Sequence, residues 1–184
     1  MSKKIFASND KNAYAFVDDD IAEIIQEMCL KFSVNNNGGY FRSTTEIKLP
    51  GITKKKRLYL HHFVWLLKTR EEPTSEIDHI DINPANNMFE NLRLATRQEQ
   101  NQHQRKRKSN TSGYTGVSHK HNVDKRGNGY DYWYSSIQRP DNKREVKSFS
   151  YTEAGKIAAG KWYDQKAIEY FHEFHGDLNF PDDN

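Results

Sequence analysis

Apolar and polar positions alternate through AYAFV (residues 13–17), the two-residue rhythm of a half-buried strand. The rhythm then changes. Ile21, Ile24, Ile25 and Met28 recur at helical spacing, which predicts a short amphipathic helix with Asp18 as its N-cap. GGYFRSTTEI (38–47) reads as a twisted strand pair or its edge, and RLYLHHFVWLL (57–67) begins as a strand and continues as a short buried helix. Residues 76–79 read as a strand end, LRLAT (92–96) as a second strand and RQEQNQHQ (97–104) as the start of a helix. QRKRKSNTS (104–112) has no apolar residue and reads as a linker. Three further strands are predicted at YTGVSH (114–119), YDYWYSSIQ (130–138) and KREVKSF (143–149), with turns at Arg126-Gly127-Asn128-Gly129 and Asp141-Asn142. Ala159, Tyr163, Ala167, Tyr170, Phe171 and Phe174 then mark one face of a long helix, with Gly176 as its stop.

This pattern predicts an α+β chain. Residues 1–104 form a first domain with a strand-rich N-terminal extension, 105–112 a basic linker, and 113–184 a three-stranded antiparallel sheet packed on one helix. If Trp133, Ser135 and Ile137 face that helix, then Tyr132, Tyr134, Ser136 and Gln138 lie on the free face of the sheet.

Composition narrows the class. Hydrophobic residues make up 35% of the chain, which is lean, but 10 Phe, 10 Tyr and 3 Trp supply core material that disordered chains lack. The single cysteine, Cys29, excludes an internal disulfide and a four-thiolate zinc ribbon. No signal-peptide core stands at the N-terminus and no run approaches membrane-spanning length, so a cytoplasmic protein without membrane contact is expected.

Charge adds a partner. Residues 42–108 carry 14 Lys and Arg against 8 Asp and Glu, whereas residues 152–184 carry 3 against 7. Two dense clusters, Lys54-Lys55-Lys56-Arg57 and Arg105-Lys106-Arg107-Lys108, are the footprint of a polyanion binder, because each phosphate neutralised releases counterions. A solvated face would account for either cluster alone. Both flank IDHIDINPANNMFENLRLATRQEQN (77–101), where Asp78 and His79 stand side by side among five asparagines.

Phosphodiester hydrolysis needs a base for the attacking water and a cation for the phosphate and leaving group. His79, with an ordinary pKa near neutrality, suits the base role. Asp78 is a hard oxygen ligand for Mg²⁺, which keeps most of its waters and takes few protein ligands. On a strand the two side chains point to opposite faces. Asn91 is placed to hold the His79 ring or the loop. An ordinary strand end is the bland alternative for Asp78-His79, and structural hydrogen bonding that for His61 and His62. Trp133, Trp162, Tyr163 and Phe171 read as core, while Tyr132 and Tyr134 suit cross-strand packing and DNA contact equally. His172 and His175 have no evident third ligand for zinc.

DHIDINPANNMFENLRLATRQEQN resembles the HNH motif of the ββα-metal endonucleases, in their phage and bacterial homing-type branch, and YLHHFVW resembles an upstream segment of that family that places His61 at its histidine. SGYTGVS, WYSSI, KSFSYTEA, KWYDQKA and EFHGDLNFP, in that order, resemble the Apetala2-type DNA-binding domain of plant ethylene-response factors. AYAFVDDD is similar to the start of bacterial proteins that join the two domains. The resemblance implies a ββα-metal nuclease in a bacterial or phage-infected cell. His79 would be its base, Asn91 would orient His79, Asn87 would shape the loop, and Asp78 would hold one Mg²⁺ or Mn²⁺ per site, with no zinc. The second ligand falls at Gln100 or Asn101, Asn101 being favoured. Double-stranded DNA is the implied partner, with no obligate protein partner. Lys54 to Arg57 and Arg105 to Lys108 would contact phosphates, and Thr115, Tyr132, Tyr134, Gln138, Arg144 and Lys147 would meet DNA from the sheet. Lys147 departs from that family's usual glycine, and the interval from Phe149 to Tyr163 is longer than usual. The implied function is a site-specific endonuclease that nicks or cuts both strands. A DNA-binding protein on a decayed nuclease scaffold is the alternative, and an RNA-binding protein fits the charge alone.

Overall fold

The computed structural model describes residues 2–35, 39–49, 54–104 and 110–181. Among them the chain forms nine strands and four α-helices, and it divides into two compact units, Met1–Arg97 and Gln98–Asn184. The division falls ahead of the basic segment at which composition puts the join. Of that segment, residues 105–109 lie outside the described residues.

In the first unit, β1 (Ser2–Phe6) and β2 (Tyr14–Asp18) make an antiparallel hairpin. The alternation in β2 does what the pattern predicts: Ala15 and Val17 are fully buried and their neighbours are not. α1 (Asp19–Glu27) follows, with Ile21 and Ile25 in the core and Ile24 packed against it. Met28 falls outside the expected stripe because the helix has already ended there, leaving it 41% exposed. Asp18 occupies the N-cap position but makes no capping bond; its carboxylate instead accepts from the Phe89 N–H, 71 residues away, at 2.9 Å. β3 (Phe32–Val34) and β4 (Phe41–Ser43) form a second hairpin, and α2 (Leu60–Thr69) buries Leu60, Phe63 and Val64 completely. Phe32 and Phe63 meet edge to face at 5.9 Å in the centre of this core. β5 (Glu76–His79) and β6 (Leu92–Ala95) complete the unit as a third antiparallel pair. α3 (Arg97–Gln102) begins at the division between the units.

The second unit is a three-stranded antiparallel sheet in the order β7-β8-β9, formed by β7 (Val117–Val123), β8 (Gly129–Gln138) and β9 (Arg144–Ser150), with α4 (Glu153–Phe171) packed on it. β7 starts later than the predicted strand because Tyr114 to Gly116 make a turn, with Gly116 at φ +74° and the Val117 N–H on the Tyr114 carbonyl. Thr152 caps α4 through the Gly155 N–H at 3.0 Å. Ala159, Tyr163, Ala167 and Phe171 form the buried face. Tyr170 stands at its flank, with its hydroxyl on Glu145. The helix ends at Phe171, where His172 turns into the left-handed region at φ +46°; Gly176 bends the chain only after a 3₁₀ turn, His172–Phe174, so it is not the stop. Asp164, 1% exposed, ties the C-terminal stretch to α4: its carboxylate accepts from the Asn179 and Phe180 backbone N–H groups and from the Asn179 side chain. No helix among the described residues is long and apolar enough to cross a membrane.

Two glycines in the turn before β7 separate backbone strain from crowding. Gly113 and Gly116 both have positive φ, but a Cβ on Gly113 would meet nothing within 4 Å, whereas one on Gly116 would stand 1.9 Å from the Tyr163 ring. Gly113→Ala is therefore expected to cost about 1–2 kcal/mol, and Gly116→Ala roughly 3 kcal/mol or more, because overpacking adds to the strain. Urea unfolding followed by tryptophan fluorescence measures both; equal losses would contradict the crowding at Gly116.

Candidate active site

Asp78 and His79 stand at the end of β5, opposite Arg93 and Leu92 of β6. Both are buried, at 6% and 4% exposure. The chain then leaves the strand in a loop that returns at Asn91, and the asparagines make that loop. Asp81 is its hub: Oδ1 accepts from the Asn83 N–H and from Asn91 Nδ2, each at 2.9 Å, and Oδ2 accepts from Asn86 Nδ2 at 2.8 Å. Asn91 spans the loop, accepting from the Asp81 N–H at 3.1 Å and donating to the Asn86 carbonyl at 2.8 Å. Asn83 accepts from the Ala85 N–H at 3.1 Å. Burial of Asp81 opposes its ionised form, but the bonds from Asn86, Asn91 and Asn83 outweigh this and hold its pKa below the usual carboxylate range.

The N-terminal hairpin fixes the loop from outside. The Phe16 N–H donates to the Ala85 carbonyl at 2.7 Å, and the Phe16 carbonyl accepts from the Asn87 N–H at 2.8 Å. With Asp18 on the Phe89 N–H, β2 supplies three partners to a loop that has no strand of its own to pair with.

Held in this way, Asn87 is 1% exposed, and its Nδ2 donates to the Pro84 carbonyl at 3.0 Å. Its Oδ1 therefore faces His79 Nε2, at 3.4 Å. An amide oxygen only accepts, so the proton of the neutral ring sits on Nε2 and Nδ1 keeps its lone pair. Burial pushes the His79 pKa down; Asn87, Asp81 and Asp78 oppose the shift without reversing it. The ring is thus neutral, and able to take a proton, around pH 7.

A set of rings surrounds it. His61 meets His79 edge to face at 5.2 Å and stacks on Tyr59 at 5.5 Å and 7°, and Tyr40 lies 5.9 Å from His79. Burial, with smaller contributions from His62 and His79, drives the His61 pKa down to about 2, so His61 is a neutral ring around pH 7. Tyr40 is held protonated: burial raises its pKa and the Asp78 charge adds to the effect.

The donor set fits an open site for a hard divalent ion rather than a closed cage. Among the described residues no three His, Cys, Asp or Glu side chains converge on a common centre. One buried carboxylate is the kind of protein ligand that an ion retaining most of its waters takes. Asp78 Oδ2 also takes the Arg93 guanidinium Nε at 3.0 Å, so a cationic group already balances part of its charge.

Asn87 touches the ring, the part the resemblance gives to Asn91, while Asn91 holds the loop, one of the two parts its position in the sequence allows. Gln100, half-buried, and Asn101, exposed, lie on α3 within the second unit. Lys54 and Lys55 are exposed, Lys56 is paired with Glu72 at 2.8 Å, and Arg57 lines a cavity; Arg105, Lys106, Arg107 and Lys108 lie outside the described residues. By strand register, Tyr132, Tyr134, Gln138 and Arg144 share the sheet face turned away from α4. Lys147 does not: it pairs with the buried Ser135 and lies on the helix side, its ammonium 5.4 Å from the Phe149 ring. Thr115 is fixed through its backbone, which exchanges hydrogen bonds with the Asn179 side chain. Tyr40, Tyr59, Asp81 and Arg93 went unremarked in the sequence. Of these, Asp81 alone carried a signal, as the second acid of Asp-His-Ile-Asp ahead of the asparagines.

A sequence model of the HNH endonuclease family matches residues 58–102, from the residues leading into α2 through α3. Protein 3.8 of Escherichia phage T7 is 52% identical over 42 residues, which are 23% of this chain and 35% of that protein. The chain thus spans about a third of that relative's length. No solved structure matches the chain.

The neutral histidines set a pH dependence. Unfolded, His61 takes up a proton as pH falls through about 6.5; folded, it does so only near 2. Stability is therefore complete above pH 6.5 and lost on acidification, at up to about 1.4 kcal/mol per pH unit for each such ring. His62 and His79, also shifted down, add to the loss. Between pH 7 and 5, urea midpoints of the first unit, read through Trp65, should fall, and His61→Phe should flatten the slope. An unchanged slope in that variant would show that the His61 ring is not held neutral.

Proposed function

We infer that the first unit hydrolyses DNA phosphodiester bonds, in the manner of an HNH endonuclease. One observation carries this reading: within the segment matched by that family, His79 is a buried neutral ring whose Nε2 is engaged by Asn87, leaving Nδ1 to act as a base. His79 would take a proton from the attacking water at Nδ1. Asn87 would hold the ring in that tautomer and balance the charge it gains, and Asp81 would keep Asn87 in place through the loop. Asp78 would hold a divalent ion, Mg²⁺ or Mn²⁺, which when bound supplies positive charge to the phosphate and leaving oxygen.

The second unit would grip the duplex. Its similarity to the Apetala2-type domain, and a sheet face carrying Tyr132, Tyr134, Gln138 and Arg144, support docking in the major groove. As a homing-type enzyme the chain would cut near the site read, and the cut would be a nick if one chain acts alone. The ion pair between Asp78 and Arg93 favours a second reading, a DNA-binding protein whose metal position is closed by its own arginine.

Supercoiled plasmid carrying the protein's own genomic region separates the two readings. Open-circle or linear product that requires Mg²⁺ or Mn²⁺ is expected. His79→Ala should lower the rate roughly 10²–10⁴-fold while DNA binding persists, and Asn87→Ala should lower it roughly 10-fold or more. Cleavage by His79→Ala at the wild-type rate would remove His79 from its role. A gel shift without metal-dependent breakage, on DNA known to contain the target, would favour the second reading.

A further inference from the structure

A second cluster of the first unit is unused by this chemistry. Arg42 of β4 and Tyr59, just ahead of α2, form an antiparallel bridge, and the Ser43 N–H donates to the Leu58 carbonyl at 2.8 Å. That pairing brings Arg42 and Arg57 onto one cavity of about 390 Å³, which Ser33, Thr44 and Tyr59 also line. Among the described residues no carboxylate lines it. Its serine and threonine hydroxyls already have partners: Ser33 on the Arg42 carbonyl, Thr44 on the Lys31 carbonyl, and Ser43 accepting from the Leu58 N–H. The two guanidiniums are its charged groups. Among the described residues neither is paired with an acid, whereas Lys56 is held by Glu72, Lys68 by Asp20 and Arg97 by Glu76. An unneutralised pair of arginines on one concave surface selects a phosphate over a neutral ligand.

The cavity is also connected to the site. The Arg42 guanidinium lies 5.4 Å from the Tyr59 ring, Tyr59 stacks on His61, and His61 meets His79. Arg42 and His79 thus occupy the two ends of one row of packed rings.

We propose that the Arg42–Arg57 cavity binds a backbone phosphate and its sugar on the DNA strand, flanking the scissile phosphate, and so sets the register of the strand at His79. The proposal rests on the reading that duplex DNA is what the chain binds, and the phosphate contact itself does not depend on the DNA being cut. Of the basic run at 54–57, Arg57 is the member that acts here. The two guanidiniums together hold that one phosphate, and Tyr59 keeps Arg42 oriented by lying under it.

The test measures duplex binding by the full-length His79→Ala chain as a function of salt, with and without Arg42→Gln and Arg57→Gln together. The double change should weaken binding about tenfold at low salt and reduce the slope of log affinity against log salt by about 0.9. Arg42→Lys with Arg57→Lys should keep most of the slope, which excludes misfolding as the cause. Lys11→Gln with Lys48→Gln, an equal loss of charge at exposed positions outside the cavity, should have little effect. An unchanged slope in the double glutamine variant, a loss no greater than in the Lys11 and Lys48 control, or no duplex binding at low salt would overturn the proposal. Cutting by the wild-type chain is scored separately. A chain that never cuts but shows the slope change defeats the nuclease reading and leaves the cavity assigned. One that cuts with the slope unchanged does the reverse.

Discussion

The carboxylate of Asp81 holds the candidate site together. A buried imidazole useful as a base must be turned one way and kept in one tautomer, and Asn87 does both only while its own amide is fixed. Asn87 sits in a loop without ladder hydrogen bonds from a neighbouring strand of its own hairpin. Three N–H groups converging on Asp81 replace that ladder. Hydrogen bonds to a charged group are worth about 1.5–3 kcal/mol each, and an unsatisfied buried partner costs a comparable amount. The loop is therefore held by a few strong, local and mutually dependent contacts. Removing Asp81 would leave Asn83, Asn86 and Asn91 each short of a partner at once.

The two units reach order by different means. In the second, apolar side chains of α4 lie against the sheet, and the buried polar group that matters, Asp164, secures the returning chain. In the first, the apolar core around Phe32 and Phe63 ends where the functional residues begin, and from there polar contacts carry the structure. The charges divide as well. Lys56, Lys68, Arg93 and Arg97 are spent on neighbouring acids, while Arg42 and Arg57 face a concave surface with none.

Much of this was legible in the sequence because it depends on period. The alternation in AYAFV and in YDYWYSSIQ, and the helical spacing around Ala159 and Ala167, mark elements that bury one face. Asp78 and His79 were legible because adjacent acid and base at a strand end are chemically conspicuous. What was hidden is three-dimensional partnering. Asp18 has the chemistry of an N-cap, but the Phe89 N–H, 71 residues on, takes its carboxylate. Asn87 and Asn91 have identical side chains, and only the path of the loop decides which one meets the ring. Lys147 was placed on the wrong face because one residue of strand register reverses a side chain, and the register is fixed by Ser135 across the ladder. Tyr40 and Tyr59 sit in segments with no periodic signal and become neighbours of His79 and His61 only after folding.

The three hydrogen bonds that β2 gives to the loop bear on how such a site can move between proteins. The family match begins at residue 58, yet the partners of Ala85, Asn87 and Phe89 lie at Phe16 and Asp18. The matched segment is thus not a self-sufficient cassette. Grafted without a strand to take the place of β2, it would carry every side chain of the motif and still lack the backbone that holds them in position. Recombination that shuffles this motif must bring along, or find in its new host, an edge with one free N–H, one free carbonyl and one carboxylate at the spacing of Phe16 and Asp18.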